Sequence, residues 1–207
     1  MEETIQWYLN EMTLGLEGDE GFAFASALDA DSEGKEGLFY VWNEDEVDQI
    51  LKEDSKQFKD AYNIIPGGNW GGSTILNRNA SDDARKPFSA MRESQLKENR
   101  LALLKVRNKR TRPQRDDKAL VDWNAMMVSA LAHAGTLLQR EDWIKTGKTV
   151  FAFACRNMVE NGRLRHSWRG GKLRHMAVLD DYAHMMRASL SLFEATGDNV
   201  YLCQAEA

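Results

Sequence analysis

The chain predicts an all-α fold of helical hairpins, part of an (α/α) toroid with β-hairpins on its rim. Three observations carry this reading. First, Leu120–Leu138 and Leu179–Ala195 are apolar around most of a helical circumference, which marks buried helices. Second, Glu141–Met158 follows the first of them after a very short connection and keeps Trp143, Gly147, Val150, Phe151, Ala154 and Met158 on one stripe, the pattern of an antiparallel αα-hairpin. Third, the buried helices repeat. Asp122–Trp123, Met126–Met127 and Leu131 recur as Asp181–Tyr182, Met185–Met186 and Leu190 at an offset of 59 residues. A period of that size means stacked helical hairpins. Closing six of them into a ring would take roughly 350 residues. The 207 residues are therefore expected to form a single domain, 1–207, that is a fragment of such a ring.

In chain order, Thr4–Thr13 reads as a helix with Ile5, Tyr8, Leu9 and Met12 on one side. Phe22–Leu28 and Leu38–Trp42 alternate apolar residues around an acidic, glycine-containing centre, which predicts a β-hairpin whose loop holds Asp29, Asp31, Glu33 and Glu36. Asn43 and Glu46 carry a capping-box signature ahead of Val47, Ile50 and Leu51. Ile64–Leu76 holds GGNWGGS around Trp70, a glycine-rich loop without the Lys-Ser/Thr ending of a phosphate loop. Phe88–Lys109 is helical and heavily charged, suited to an outward-facing helix. Arg163–Trp168 and Lys172–Met176 form a second hairpin through Arg169–Gly170–Gly171. Gly197 ends the second buried helix as its C-terminal cap, and Asp198 with Asn199 opens another. Pro66, Pro87 and Pro113 all fall between these elements.

Composition narrows the function. A net charge of −5 argues against a nucleic-acid surface, and the basic runs Lys105–Arg115 and Arg163–Arg174 are short. No apolar run approaches the roughly 18 residues needed to span a bilayer. The N-terminus lacks the basic-then-apolar pattern of a signal peptide. Cys155 and Cys203 sit in apolar helical patterns and suit a reducing compartment, so a cytoplasmic protein without membrane or nucleic-acid partners is expected.

Three segments carry candidate chemistry: the acidic hairpin, Arg112–Asp122 and Arg163–Asp181. The last two both lead into a buried helix, which puts them on one rim, and the acidic hairpin is expected to join them. As a calcium loop the hairpin matches at Asp29, Asp31, Glu33 and Gly34 but has Tyr40 where a bidentate Glu is needed. A hydroxyl-binding loop is expected instead. Asp122 and Asp181 hold equivalent places in the repeat, beside Trp123 and Tyr182, and are the candidate proton-transfer carboxylates. Asp180, and Asp116 and Asp117 ahead of the first buried helix, read as helix-capping acids. His166 and His175, opposite one another on the second hairpin, are a candidate acid–base pair, and a solvated hairpin explains them equally well. His184, three residues after Asp181, is a candidate substrate-binding group, whereas His133 reads as structural. Asp29, Asp31 and Glu33 would bind hydroxyls, and Trp42, Trp70, Trp123 and Tyr182 would serve as platforms for sugar rings. No His/Cys/carboxylate set has zinc spacing, and no cofactor motif or serine-centred nucleophile elbow is present, so neither metal nor cofactor is expected.

DADSEGKEGLFYVW (Asp29–Trp42), GNWGGSTIL (Gly68–Leu76), RPQRDDKALVDWNAMM (Arg112–Met127) and LDDYAHMM (Leu179–Met186) together resemble the spermatogenesis-associated protein 20 / YyaL family, of DUF255 type. That family pairs an N-terminal thioredoxin-like domain with a six-hairpin toroid similar to N-acylglucosamine 2-epimerases and six-hairpin glycosidases. The resemblance implies that this chain is the earlier part of the toroid and that the thioredoxin-like domain lies outside it. The chain has no CxxC, so no redox role is implied here. Ala125 stands where the family often has Gly, and His184 where it often has an apolar or aromatic residue. The implied function is carbohydrate-related, with epimerase/isomerase-like or glycosidase-like chemistry on a small-molecule sugar at the rim. The alternative is a non-catalytic binding or scaffold module. An unclosed toroid edge would also favour self-association.

Overall fold

The computed structural model describes residues 1–15, 21–79 and 89–206. In chain order the elements are α1 (Glu2–Glu11), β1 (Thr13–Gly15), β2 (Phe22–Phe24), β3 (Ala27–Leu28), β4 (Asp31–Ser32), β5 (Lys35–Glu36), α2 (Glu44–Leu51), a 3-10 turn (Lys52–Asp54), α3 (Ser55–Tyr62) and α4 (Ala90–Arg107). There follow β6 (Arg115–Asp116), β7 (Ala119–Leu120), α5 (Val121–Leu137), α6 (Glu141–Asn157), β8 (Val159–Glu160), β9 (Arg163–Arg169), β10 (Lys172–Met176), α7 (Leu179–Thr196) and α8 (Asn199–Glu206). The fold is dominated by helices, with small antiparallel sheets. The contacts divide the chain into two compact units, Met1–Leu28 with Arg115–Ala207, and Asp29–Gln114. No described helix is long and apolar enough to cross a membrane.

In the first unit α5 packs against both α6 and α7, and α7 packs against α8. Val128 and Leu131 of α5, Trp143 and Phe153 of α6, Leu192 of α7 and Phe24 of β2 are all buried in its core. Such apolar helices have no stable alternative to mutual burial, at about 25 cal/mol per Å² removed from water. The α5–α6 connection is short because Gly135 permits it: a Cβ there would lie 2.6 Å from Ile144 Cγ1 and 3.0 Å from the Arg140 carbonyl. Gln139 then takes the left-handed conformation (φ +54°) that reverses the chain. The strands run in the order β10-β9-β7, with β8 also pairing β9, while β1 pairs β2 and β3 pairs β6. The β9–β10 turn has Gly170 and Gly171 at positive φ, the two-residue turn that matches strand twist.

The second unit packs Val47 and Leu51 of α2, Phe58 and Ala61 of α3, and Leu96 and Leu103 of α4 together. Asn43 Oδ1 accepts the Glu46 amide at 2.8 Å, which is the predicted cap, and Ser89 Oγ accepts the Arg92 amide ahead of α4. Pro87 and Phe88, placed by the sequence before and at the start of this helix, lie outside the described residues. Lys59 bonds both Glu44 and Asp48, and its hydrogen bond to Asp48, with a second from Ser55, holds the Asp48 carboxyl below its ordinary pKa.

One expectation is corrected here. Phe22–Leu28 and Leu38–Trp42 do not form a hairpin with each other. Phe22–Phe24 pairs with Thr13–Gly15, and Ala27–Leu28 pairs with Arg115–Asp116. The acidic hairpin shrinks to Asp31–Ser32 against Lys35–Glu36. Its turn is set by Glu33 and Gly34, both at positive φ, so the reversal happens inside the acidic run and leaves Leu38–Trp42 unpaired with β2.

The loop around Trp70 depends on Gly68. Its φ is +67°, and a Cβ there would sit 2.0 Å from the Ser73 carbonyl oxygen. Gly67 has φ +81° with open space around its Cβ position. Gly68→Ala should cost about 2 kcal/mol or more, against about 1 kcal/mol for Gly67→Ala, because only the first adds a backbone collision to the left-handed penalty. Urea unfolding of the two variants measures the difference.

Candidate functional site

The site residues of the first unit come together through the sheet. β7 pairs with β9 (Ala119↔Trp168, Leu120↔Ser167), which lays the N-terminus of α5 beside the second hairpin. The two segments that the sequence places on one rim are thus hydrogen-bonded to each other. β10 then leads into α7. Asp122 lies in the first turn of α5, Asp181 in the first turn of α7, and His166 on β9.

Asp181 is fully buried, at 0% exposure, and is the one buried carboxylate among the described residues. His166 Nδ1 lies 2.9 Å from its Oδ1 and 3.1 Å from its Oδ2. The Val178 amide donates to Oδ2 at 2.7 Å. A nitrogen between two carboxylate oxygens is best matched by the Nδ1–H tautomer, which turns Nε2 into the free, basic position. The His166 side chain keeps 30% exposure, so the dyad has one buried end and one accessible end. Asp122 is half-buried, and its Oδ1 accepts the Trp123 amide at 2.8 Å. One ligand atom from each of Asp122, His166 and Asp181 lies within 4.8 Å of the others. An imidazole and two carboxylates at this spacing can share and move protons. Trp123 and Tyr182, the residues after the two aspartates, are 45% and 43% exposed and offer aromatic surface.

The other expected residues are placed differently. The flanking pairs Arg174↔Ser167 and Met176↔Arg165 put His175 opposite His166, but His175 has φ +57°, is exposed and is not in the group. His184 is half-buried on α7 and also outside it. His133 is exposed, 3.7 Å from Glu194. Asp116 and Asp117 do not cap α5: Asp116 pairs with Lys118, whose hydrogen bond holds its carboxyl below the ordinary value, and Asp117 pairs with Arg115. Burial pushes the Cys155 thiol up, away from nucleophilic use.

Asp29, Asp31, Glu33, Trp42 and Trp70 belong to the second unit. Asp29 Oδ1 accepts the Asp31 amide at 3.1 Å, a local turn bond. Trp42 is 3% exposed, with the Arg110 guanidinium 4.1 Å above its ring, so it fills a core position and has no free face for a sugar. Trp70 is partly exposed. Glu33 lines a cavity of about 570 Å³ within this unit, together with Leu38, Asn43, Asp45, Glu46 and Arg110. Arg110 is held there by Glu46 and by the carbonyls of Phe39 and Val41.

Two features escape the sequence reading. One is that the repeat partners Asp122 and Asp181 differ in burial. The other is Asn124, whose side chain accepts the Phe24 amide at 2.8 Å and donates to the Phe24 and Leu120 carbonyls. The signal for Asn124 was present, as an amide side chain in the first turns of an otherwise apolar helix.

No family model matches the chain. It is similar to spermatogenesis-associated protein 20 of Homo sapiens, with 31% identity over 86% of this chain and 28% of that protein. The proteins of that name from Rattus norvegicus and Mus musculus match at 29% and 28% identity over the same shares. The chain thus spans 28% of the length of the curated relatives it matches.

Proposed function

As a relative of spermatogenesis-associated protein 20 along 86% of its length, this chain is, we propose, a carbohydrate-related module of an (α/α) toroid with its acid–base site at Asp122, His166 and Asp181. The observation that supports this is the buried Asp181 holding Nδ1 of His166, whose side chain keeps 30% exposure. In this reading His166 takes and returns a proton on a sugar carbon or hydroxyl, Asp181 orients it, and Asp122 binds a neighbouring hydroxyl. Trp123 and Tyr182 stack on the ring. His175, across the hairpin, is the candidate partner for returning the proton from the other side.

Epimerase- or isomerase-like chemistry fits better than hydrolysis. A glycosidase needs two working carboxylates, about 5 Å or more apart. Asp181 is buried and already bonded to His166 and Val178, which suits orientation and not nucleophilic attack.

A proton NMR time course with reducing mono- and disaccharides in D2O tests the reading. New anomeric signals with deuterium entering at one carbon are expected, and His166→Gln should slow them by about 10²-fold or more, the usual worth of a positioned acid–base group. Well-dispersed amides with unchanged sugars would instead favour a non-catalytic binding module. One observation supports that second reading. Trp123 and Met126 on α5 and Leu179, Tyr182, Met186 and Leu190 on α7 are exposed apolar residues, a surface suited to a partner or a second copy.

A further inference from the structure

We propose that Asp122, His166 and Asp181 also form a binding site for one divalent cation of the borderline class, such as Zn²⁺ or Mn²⁺. The ligand set is two carboxylates and one imidazole, drawn from three separate elements, the first turns of α5 and α7 and strand β9. Mixed oxygen and nitrogen donors of this kind suit such ions, and imidazole disfavours Ca²⁺ and Mg²⁺.

Charge supplies the independent reason. Asp181 is fully buried, and its hydrogen-bond partners are a histidine and a backbone amide, with no Lys or Arg among them. Asp122 has a carboxylate oxygen within 4.8 Å of it and accepts the Trp123 amide. Two carboxylates therefore meet beside one imidazole. Burying charge without an opposite charge is costly, and a divalent ion would neutralise both carboxylates at once.

The geometry permits this with side-chain movement alone. A four-coordinate ion with bonds of about 2.1 Å holds its ligand atoms about 3.4 Å apart. Asp181 Oδ1 and His166 Nδ1 are already 2.9 Å apart, and all three ligand atoms lie within 4.8 Å. Rotation of the half-buried Asp122 closes the set, while Oδ2 of Asp181 keeps the Val178 amide. On binding, the imidazole hydrogen moves from Nδ1 to Nε2, and Nδ1 donates its lone pair to the ion. Three protein ligands leave a position open to water or a hydroxyl.

This inference deepens the acid–base reading and rests on it for one consequence. The ion and the Nδ1 hydrogen are alternative occupants of the same dyad, so the ion suppresses the proton transfer proposed above.

The test is calorimetric titration of the chelator-treated chain with ZnCl2 and with MnCl2, in the absence of sugar. One saturable site per chain is expected for at least one of the two ions. Asp122→Asn and His166→Gln should each weaken it about tenfold or more, since loss even of an outer-shell partner costs that much. His175→Gln and His184→Gln should leave it unchanged. In two-dimensional NMR spectra the His166 ring nitrogens should shift with the same stoichiometry. No saturable uptake of either ion, or uptake indifferent to Asp122→Asn and His166→Gln, would overturn the site. Asp181 is left intact in these variants because its loss threatens the fold. The two readings separate cleanly. Turnover in chelator without ion uptake removes only the cation site, and ion uptake by a chain that shows no turnover in chelator removes only the acid–base reading.

Discussion

Asp181→Ala should lower the unfolding free energy of the first unit by about 3 kcal/mol, which is more than a helix cap is worth. A simple N-terminal cap contributes about 1 kcal/mol. Asp181 does more, because at 0% exposure its removal leaves the Val178 amide and His166 Nδ1 without the acceptor they share. Each hydrogen bond to a charged group contributes about 1.5–3 kcal/mol. Asp181→Asn separates shape from charge. Its side-chain oxygen can still accept from Val178, so the expected loss is about 1 kcal/mol. Both His166-dependent turnover and cation uptake should still be lost with it, since the carboxylate is gone. Urea unfolding of the two variants, read beside calorimetric titration, measures both effects. Equal destabilisation by Ala and Asn would mean that the negative charge, and not the hydrogen bond to Val178, holds the start of α7.

Asn124→Ala carries a similarly large expected cost, about 3 kcal/mol, and should leave the chemistry of the dyad alone. The Asn124 amide pairs with both backbone groups of Phe24, accepting from its N–H at 2.8 Å and donating to its C=O at 3.1 Å. A second donor bond reaches the Leu120 carbonyl at 2.8 Å. The side chain is 3% exposed and Phe24 is 0% exposed, so water cannot replace these partners. Removing the amide orphans the buried N–H and C=O of Phe24 and takes one bond from the half-buried Leu120 carbonyl, at about 1 kcal/mol each or more. Asn124→Asp should be no milder: it keeps the acceptor for Phe24 N–H, loses both donors and buries a charge. Hydrogen exchange of the Phe24 amide is the direct measurement, and protection there should fall most. If Phe24 stays protected in Asn124→Ala, the β2–α5 link rests on packing alone.

Much of the fold was legible because helical spacing is a local property. Leu120–Leu138, Glu141–Met158 and Leu179–Ala195 correspond within a residue or two to Val121–Leu137, Glu141–Asn157 and Leu179–Thr196. Caps follow the same logic: Asn43 bonds the Glu46 amide, and Gly197 takes φ +69° at the end of α7. The glycine pair at 170 and 171 places the second hairpin. The first hairpin is not legible, because the alternation of Phe22–Leu28 says that a strand is present but not which strand it pairs with. Its partners proved to be Thr13–Gly15 and Arg115–Asp116. The second of these lies far away in the chain, and no turn signal links the two.

The amino-acid sequence by itself determined which residues lie on helices, which face of each is apolar, and that Asp122 and Asp181 open equivalent helices. Only the tertiary structure decided what those equivalent residues do. The chain lays β9 against the start of α7, so Asp181 loses its water and takes His166 and Val178 as partners, while Asp122 remains half in solvent and accepts the Trp123 amide. Periodicity follows from backbone geometry, which every residue carries with it. Burial and choice of partner follow from which distant segment arrives alongside, and that depends on the packing of the whole unit.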